Sequence, residues 1–184
     1  LVWDEERTKE KFDKDSEGKI PILKEVKDKE IKTDKNKPTN ILIEGDNYHA
    51  LSVLNYTHKG KVDVIYIDPP YNTGKDFRYS DTLVKIDDSY RHSKWLDFMR
   101  KRLELAKTIL KKSGVIFISI DDNEHAQLKL LCHQIFGENN FIANIIWQKK
   151  QSPQNDAKYF SDMHDFIVVF AKKKNIGNEN NGWI

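Results

Sequence analysis

The sequence predicts a three-layered α/β domain with a mostly parallel sheet, and three observations carry that prediction. From residue 41 onward, short β-branched runs alternate with longer amphipathic stretches. The run Val62-Asp63-Val64-Ile65-Tyr66-Ile67 is nearly all apolar, as in a strand covered on both faces. Polar, turn-forming residues follow each of the first three apolar runs: Gly45-Asp46, Asp68-Pro69-Pro70 and Asp121-Asp122. Strand, helix, strand, helix, strand then describes right-handed crossovers.

Residues 1–38 alternate Lys, Asp and Glu with sparse apolar side chains, the pattern of a charged extension that Pro38 ends. A domain at 39–174 and a basic, then Asn- and Gly-rich tail at 175–184 complete the division. Within the domain, 41–43 (Ile-Leu-Ile) reads as the first strand and 62–67 as the second. Pro69 and Pro70 lack backbone donors and cannot continue a ladder, so the second strand turns there. Residues 71–91 read as a polar loop. A helix at 93–112 carries Trp95, Met99, Leu103, Ala106 and Leu110 on one stripe, with Ser113-Gly114 as its stop. Residues 115–120 form the third strand, and Asp121-Asp122 can cap the helix that follows and ends at Gly137. Two further strands, 141–147 and 166–170, lack a helix between them and are expected to pair antiparallel at one edge.

Composition narrows the function classes. With 184 residues the chain fits one domain, and 38% hydrophobic content against 33% charged is polar but not disordered. A net charge of +2 does not by itself point to nucleic acid. The basic residues Arg91, Lys94, Arg100, Lys101, Arg102, Lys107, Lys111 and Lys112 read as the solvated face of the long helix. One cysteine, Cys132, excludes a disulfide framework and reads as a core residue. No apolar run nears the roughly 18 residues of a membrane span, and the amino terminus is unlike a signal peptide, so the expectation is cytoplasmic.

In an open α/β sheet, ligands bind beyond the carboxyl ends of the strands. Asp68-Pro69-Pro70-Tyr71 there combines a carboxylate, two rigid residues and an aromatic ring. Such a clamp accepts hydrogen bonds from an –NH₂ group and stacks a planar base, the two requirements for holding an extruded nucleobase. Asp46 can cap a helix, contact a cofactor at that helix's amino terminus, or do both.

Asp68-Pro69-Pro70-Tyr71-Asn72-Thr73-Gly74 resembles the catalytic motif of amino-methyltransferases acting on DNA adenine. More widely, the chain is similar to the modification subunits of type III restriction systems and their β-group relatives. The resemblance also runs through Asn40 to Asn47 with Ala50-Leu51, Ser93 to Met99 with Arg102-Leu103, and Gly114 to Asp122. It continues through Ile135-Phe136-Gly137-Glu138 and His164 to Lys172, in order.

The resemblance implies a Rossmann-like, S-adenosylmethionine-dependent methyltransferase fold and methyl transfer to the exocyclic amine of a flipped adenine in double-stranded DNA. It implies that Asp68 and the Pro69 carbonyl hold the amine, with Pro70 completing the rigid turn. Tyr71 stacks on the base and Asn72 lies at the substrate. Asp46, with Asp68, lies on the cofactor side, and Lys149 and Lys150 meet DNA phosphate. No metal is needed. Aspartate at the head of the motif favours adenine, since serine is commoner in cytosine N4 enzymes. A restriction subunit and a homodimer are the implied partners. These enzymes also carry a Phe-x-Gly-x-Gly cofactor loop, which the sequence does not contain; the expectation is therefore an incomplete domain, inactive in isolation, whose sheet lacks two strands between 41–43 and 62–67. The competing reading is a non-catalytic DNA-binding or assembly fragment on the same scaffold.

Overall fold

A computed structural model describes residues 21–30, 37–38, 40–75, 77–79, 82–152 and 159–174. Most of the 1–38 extension and the whole 175–184 tail lie outside the described residues. Helix α1 (Asn47–Thr57) precedes strand β1 (Val62–Ile67). A small antiparallel pair, β2 (Arg78–Tyr79) and β3 (Thr82–Leu83), occupies the stretch expected as plain loop. Helix α2 (Arg91–Ile109), strand β4 (Leu110–Ile120), helix α3 (His125–Phe136) and strands β5 (Phe141–Gln148) and β6 (His164–Ala171) follow.

The main sheet has the order β1-β4-β6-β5. β1 and β4 are parallel, joined by the crossover through α2. β6 runs antiparallel to both β4 and β5, as expected for two strands with no helix between them. The apolar stripe of α2 forms the centre of the core: Trp95, Leu96, Met99, Leu103 and Ala106 pack with Ile116, Ile118 and Ile120 of β4. Leu128, Leu131, Cys132 and Phe136 of α3 join the same cluster with Val168 and Phe170 of β6. Alternation along β1 turns Ile65 and Ile67 toward this core, while Val64 and Tyr66 on the opposite side are 54% and 61% exposed, so the strand is covered on one face among the described residues and not, as its composition suggested, on both. No helix among the described residues is long and apolar enough to cross a membrane.

Three expectations are corrected. Residues 41–43 form no strand; Ile41 and Leu42 are exposed, Leu42 at 95%. An aliphatic run needs a neighbouring strand to satisfy its backbone, and none of the described strands pairs with it. The long helix stops at Ile109, and Leu110 already belongs to β4, paired with Val62. Its last carbonyls, on Thr108 and Ile109, accept from the backbone N–H groups of Gly60 and Lys61 at 3.1 and 3.0 Å. Tertiary donors thus replace the glycine cap that the sequence suggested. Gly114 instead sits inside β4, where an added Cβ would lie 3.0 Å from the Val62 carbonyl oxygen. Finally, Glu124 rather than Asp121 or Asp122 occupies the N-cap of α3, and Asp121 accepts from the Asn123 N–H at 2.9 Å in the preceding turn.

Candidate active site

The carboxyl ends of β1 and β4 lie at one rim because the two strands are parallel. β6 runs the other way and therefore starts at that rim, while β5 ends there. The topology gathers Asp68, Asp121, Lys149 and Asp165, although they span nearly a hundred residues of chain. Asp68 is exposed, and Pro69, Pro70 and Tyr71 are half-buried beside it.

The Tyr71 hydroxyl sits beside the Asp68 carboxylate. Partial burial raises its pKa well above the ordinary phenol value, and the adjacent Asp68 carboxylate and the charges of Asp165 and Asp121 act the same way. Tyr71 therefore stays a neutral phenol. On the other side of the turn, the indole Nε1–H of Trp95 donates to the Pro70 carbonyl at 2.7 Å.

Asn72, expected at the substrate, is 1% exposed and points inward. Its Nδ2 donates to Glu124 Oε1 at 2.5 Å and to the Arg91 carbonyl at 3.3 Å. Its backbone has a φ of 59°, a left-handed conformation that Asn tolerates better than most residues. Two residues on, Gly74 lies so close to Ile86 that an added Cβ would stand 2.9 Å from the Ile86 nitrogen. The turn is fixed from both ends.

Asp46 caps α1, its Oδ1 accepting from the Tyr48 and His49 N–H groups at 2.8 and 3.4 Å. Its Oδ2 meets the guanidinium of Arg102 at 3.2 Å. Trp95 and Arg102 are seven residues apart on α2, which puts them on one face, separated by about 10 Å of helix rise. One helix thus anchors both the Pro70 turn and Asp46, though nothing brings Asp46 into contact with Asp68.

Lys149 is paired with Asp162 at 2.7 Å and Asp165 at 2.8 Å. Burial opposes its charge, but those two bonds outweigh it and push its pKa up. The backbone N–H of Lys150 bonds the Met163 carbonyl at 3.3 Å. Much of the basic cluster of α2 is likewise paired: Lys94 with Asp88, Lys101 with Asp97, and Lys111, which is on β4, with Asp63.

Against this geometry, residues 62–183 match the sequence profile of a family described as DNA methylase. The chain belongs to that family. Among relatives of the methylase chain, the StyLTI Mod subunit, a type III restriction-modification enzyme of Salmonella typhimurium LT2, is 40% identical over 173 residues. That match covers 82% of this chain and 26% of the relative. The EcoPI Mod subunit of Escherichia phage P1 is 39% identical over 179 residues, covering 84% and 28%. The chain thus spans about a quarter of the length of these relatives. In fold it is similar to TTHA0409 of Thermus thermophilus, with a TM-score of 0.53 at 17% identity over 73% of this chain and 53% of that one. The same protein solved with S-adenosyl-L-methionine aligns at 0.51 and 18% identity, over 73% and 56%.

Sequence reasoning missed Glu124, the indole bond of Trp95 and the role of Arg102. Trp95 was legible only as core, since apolar spacing says nothing about where its N–H points. For Glu124 the available signal was its place in Asp121-Asp122-Asn123-Glu124, directly before an apolar helix.

Proposed function

We propose that this chain carries the acceptor-binding motif of a type III restriction-modification methyltransferase acting on adenine N6 in double-stranded DNA. The observation that carries the reading is the turn itself. An exposed Asp68 stands at the end of β1, the Tyr71 hydroxyl lies beside it, and the Pro70 carbonyl is held by Trp95. Identity of 40% to a Mod subunit over 82% of the chain supports the substrate class.

The chemistry follows from those groups. The adenine amine is a weak nucleophile because its lone pair is delocalised into the ring. The Asp68 carboxylate and the Pro69 carbonyl accept its two hydrogens and favour a pyramidal nitrogen with a directed lone pair. Trp95 occupies the neighbouring carbonyl of Pro70 and so fixes the direction in which Pro69 points. The Tyr71 ring supports the extruded base by stacking, which a neutral phenol does without repelling the acidic rim. S-adenosylmethionine supplies an electrophilic methyl group when bound. Asp46 and Asp68 are acceptor-only carboxylates at the rim and at a helix amino terminus, suited to an amine or hydroxyl hydrogen of an adenosyl group. Lys149 and Lys150 reach DNA phosphate in this reading, Lys149 by exchanging Asp162 or Asp165 for it. The division into extension 1–38, domain 39–174 and tail 175–184, a cytoplasmic setting, a restriction subunit and a second copy belong to the same proposal.

Asp68→Ala tests it in the longest natural chain carrying this segment, assayed with unmethylated DNA and labelled cofactor. Methyl transfer falls on the order of 10²-fold or more, with DNA binding retained. Unchanged methylation would refute the catalytic reading and favour a non-catalytic scaffold.

A further inference from the structure

Glu124 is a fully buried carboxyl group (0% exposed) that does not serve the helix it precedes. It occupies the N-cap of α3, yet its side chain makes no capping hydrogen bond. It turns instead toward the motif. Oε1 accepts from Asn72 Nδ2 at 2.5 Å and from His92 Nδ1 at 2.7 Å. Two atoms of this group are buried with no hydrogen-bond partner among the described residues: Glu124 Oε2 and Asn72 Oδ1. Both are acceptors if Glu124 is ionised, and both are left desolvated.

The orientation of the Asn72 amide is set by its donor side, since Nδ2 faces two oxygens, Glu124 Oε1 and the Arg91 carbonyl. Reversing it would put Oδ1 against those same oxygens. The missing donor must therefore come from elsewhere. We infer that Glu124 carries a proton on Oε2 and, paired through two hydrogen bonds with the Asn72 amide, acts as a positioning residue for the Asp68–Tyr71 turn.

One proton then satisfies both orphaned atoms. Oε2–H donates to Asn72 Oδ1, and Oε1, now a carbonyl oxygen with two lone pairs, takes Asn72 Nδ2–H and the Nδ1–H of His92. Burial pushes the Glu124 carboxyl above its ordinary range, against the hydrogen bonds from Asn72 and His92 and the positive charge of Arg91. Those are the polar and charged groups that face it: Asn72 from the turn, and His92 and Arg91 from the first turn of α2. Asn72 follows Tyr71 directly, so the pair holds the backbone of the stacking residue in its left-handed exit from the turn.

The positioning role rests on the methyltransferase reading, whereas the proton does not. Glu124→Gln replaces the acid by an amide that can donate and accept in the same two places; Glu124→Ala removes both. In the longest natural chain, infrared difference spectra of wild type minus Glu124→Gln at neutral pH are expected to show the C=O stretch of a protonated carboxyl. Carboxylate bands in its place would overturn the assignment. Methylation by Glu124→Gln is expected to stay within about 3-fold of wild type, while Glu124→Ala loses about 10-fold or more in kcat with DNA affinity unchanged. Equal losses in both variants, or none in Glu124→Ala, would defeat the positioning role. If Glu124→Ala does not fold, the spectrum and rate of Glu124→Gln still decide. Unchanged methylation in Asp68→Ala would remove the catalytic reading and leave the infrared result standing.

Discussion

The indole Nε1–H of Trp95 reaches the carbonyl oxygen of Pro70 across 2.7 Å, so a side chain at the centre of the core also grips the turn that presents Asp68. Packing and presentation are joined in one residue. Trp95→Phe separates them, keeping most of the apolar volume while leaving the Pro70 carbonyl without its donor. Unfolding in denaturant should show a loss of about 1–3 kcal/mol, and initial methylation rates should fall further than that loss explains. A variant as active as wild type would show that the turn holds itself.

Tyr71 offers a ring and a hydroxyl, and the two can be tested apart. Tyr71→Phe keeps the stacking face and gives up only the hydroxyl beside Asp68. Its methylation should stay within a few-fold of wild type. Tyr71→Ala removes a stacking surface of about 1–3 kcal/mol per base, which corresponds to roughly 5- to 150-fold weaker retention of an unpaired target base. Base-analogue fluorescence at the target position reads this directly, and equal behaviour of the two variants would contradict stacking.

Asp46 combines a cap with an ion pair to Arg102. Asp46→Asn preserves the cap; Asp46→Ala removes it, at about 1 kcal/mol. If Asp46 also contacts the adenosyl group, both substitutions weaken cofactor binding in a calorimetric titration, although Ala, which loses the cap as well as the Arg102 ion pair, lowers the unfolding midpoint further than Asn. Unaltered cofactor affinity in both would assign Asp46 to the helix alone.

The imidazole of His125 stacks on Phe166 with ring centroids 4.0 Å apart. Burial, helped by Lys129, holds its pKa below the ordinary value, against the neighbouring Asn144 side chain and the charge of Asp122. The fold therefore favours neutral His125. Its contribution is complete above the unfolded pKa of about 6.5 and is lost as pH falls through the lower folded value. Stability measured by urea unfolding should drop between pH 7 and pH 5. His125→Phe keeps the stacking and should flatten that drop; an unchanged slope would place the titration elsewhere.

What could be read in advance, and what could not, divides along physical lines. Val62–Ile67 and the α2 stripe were legible because period and composition are local properties. Asp68-Pro69-Pro70 announced its own position, since two prolines end a strand wherever it pairs. The end of α2 was not legible, because its carbonyls are satisfied by Gly60 and Lys61, nearly fifty residues away. The 41–43 run shows the converse: its aliphatic composition suits a strand, but pairing is a property of two segments. Glu124 escaped for the same reason, its environment being set by Asn72, 52 residues upstream.

Ile109 closes α2 and Leu110 opens β4, with no connecting residue between them. A joint without a linker has no dihedral freedom set aside for swinging. Helix and sheet must then travel as one lever arm, carrying the grips on Pro70 and Asp46 with them. If the turn receives a base, as proposed, its admission falls to torsions about the χ bonds of Asp68 and Tyr71. Entry should be gated on the fast timescale of side-chain rotation rather than the slower one of domain closure.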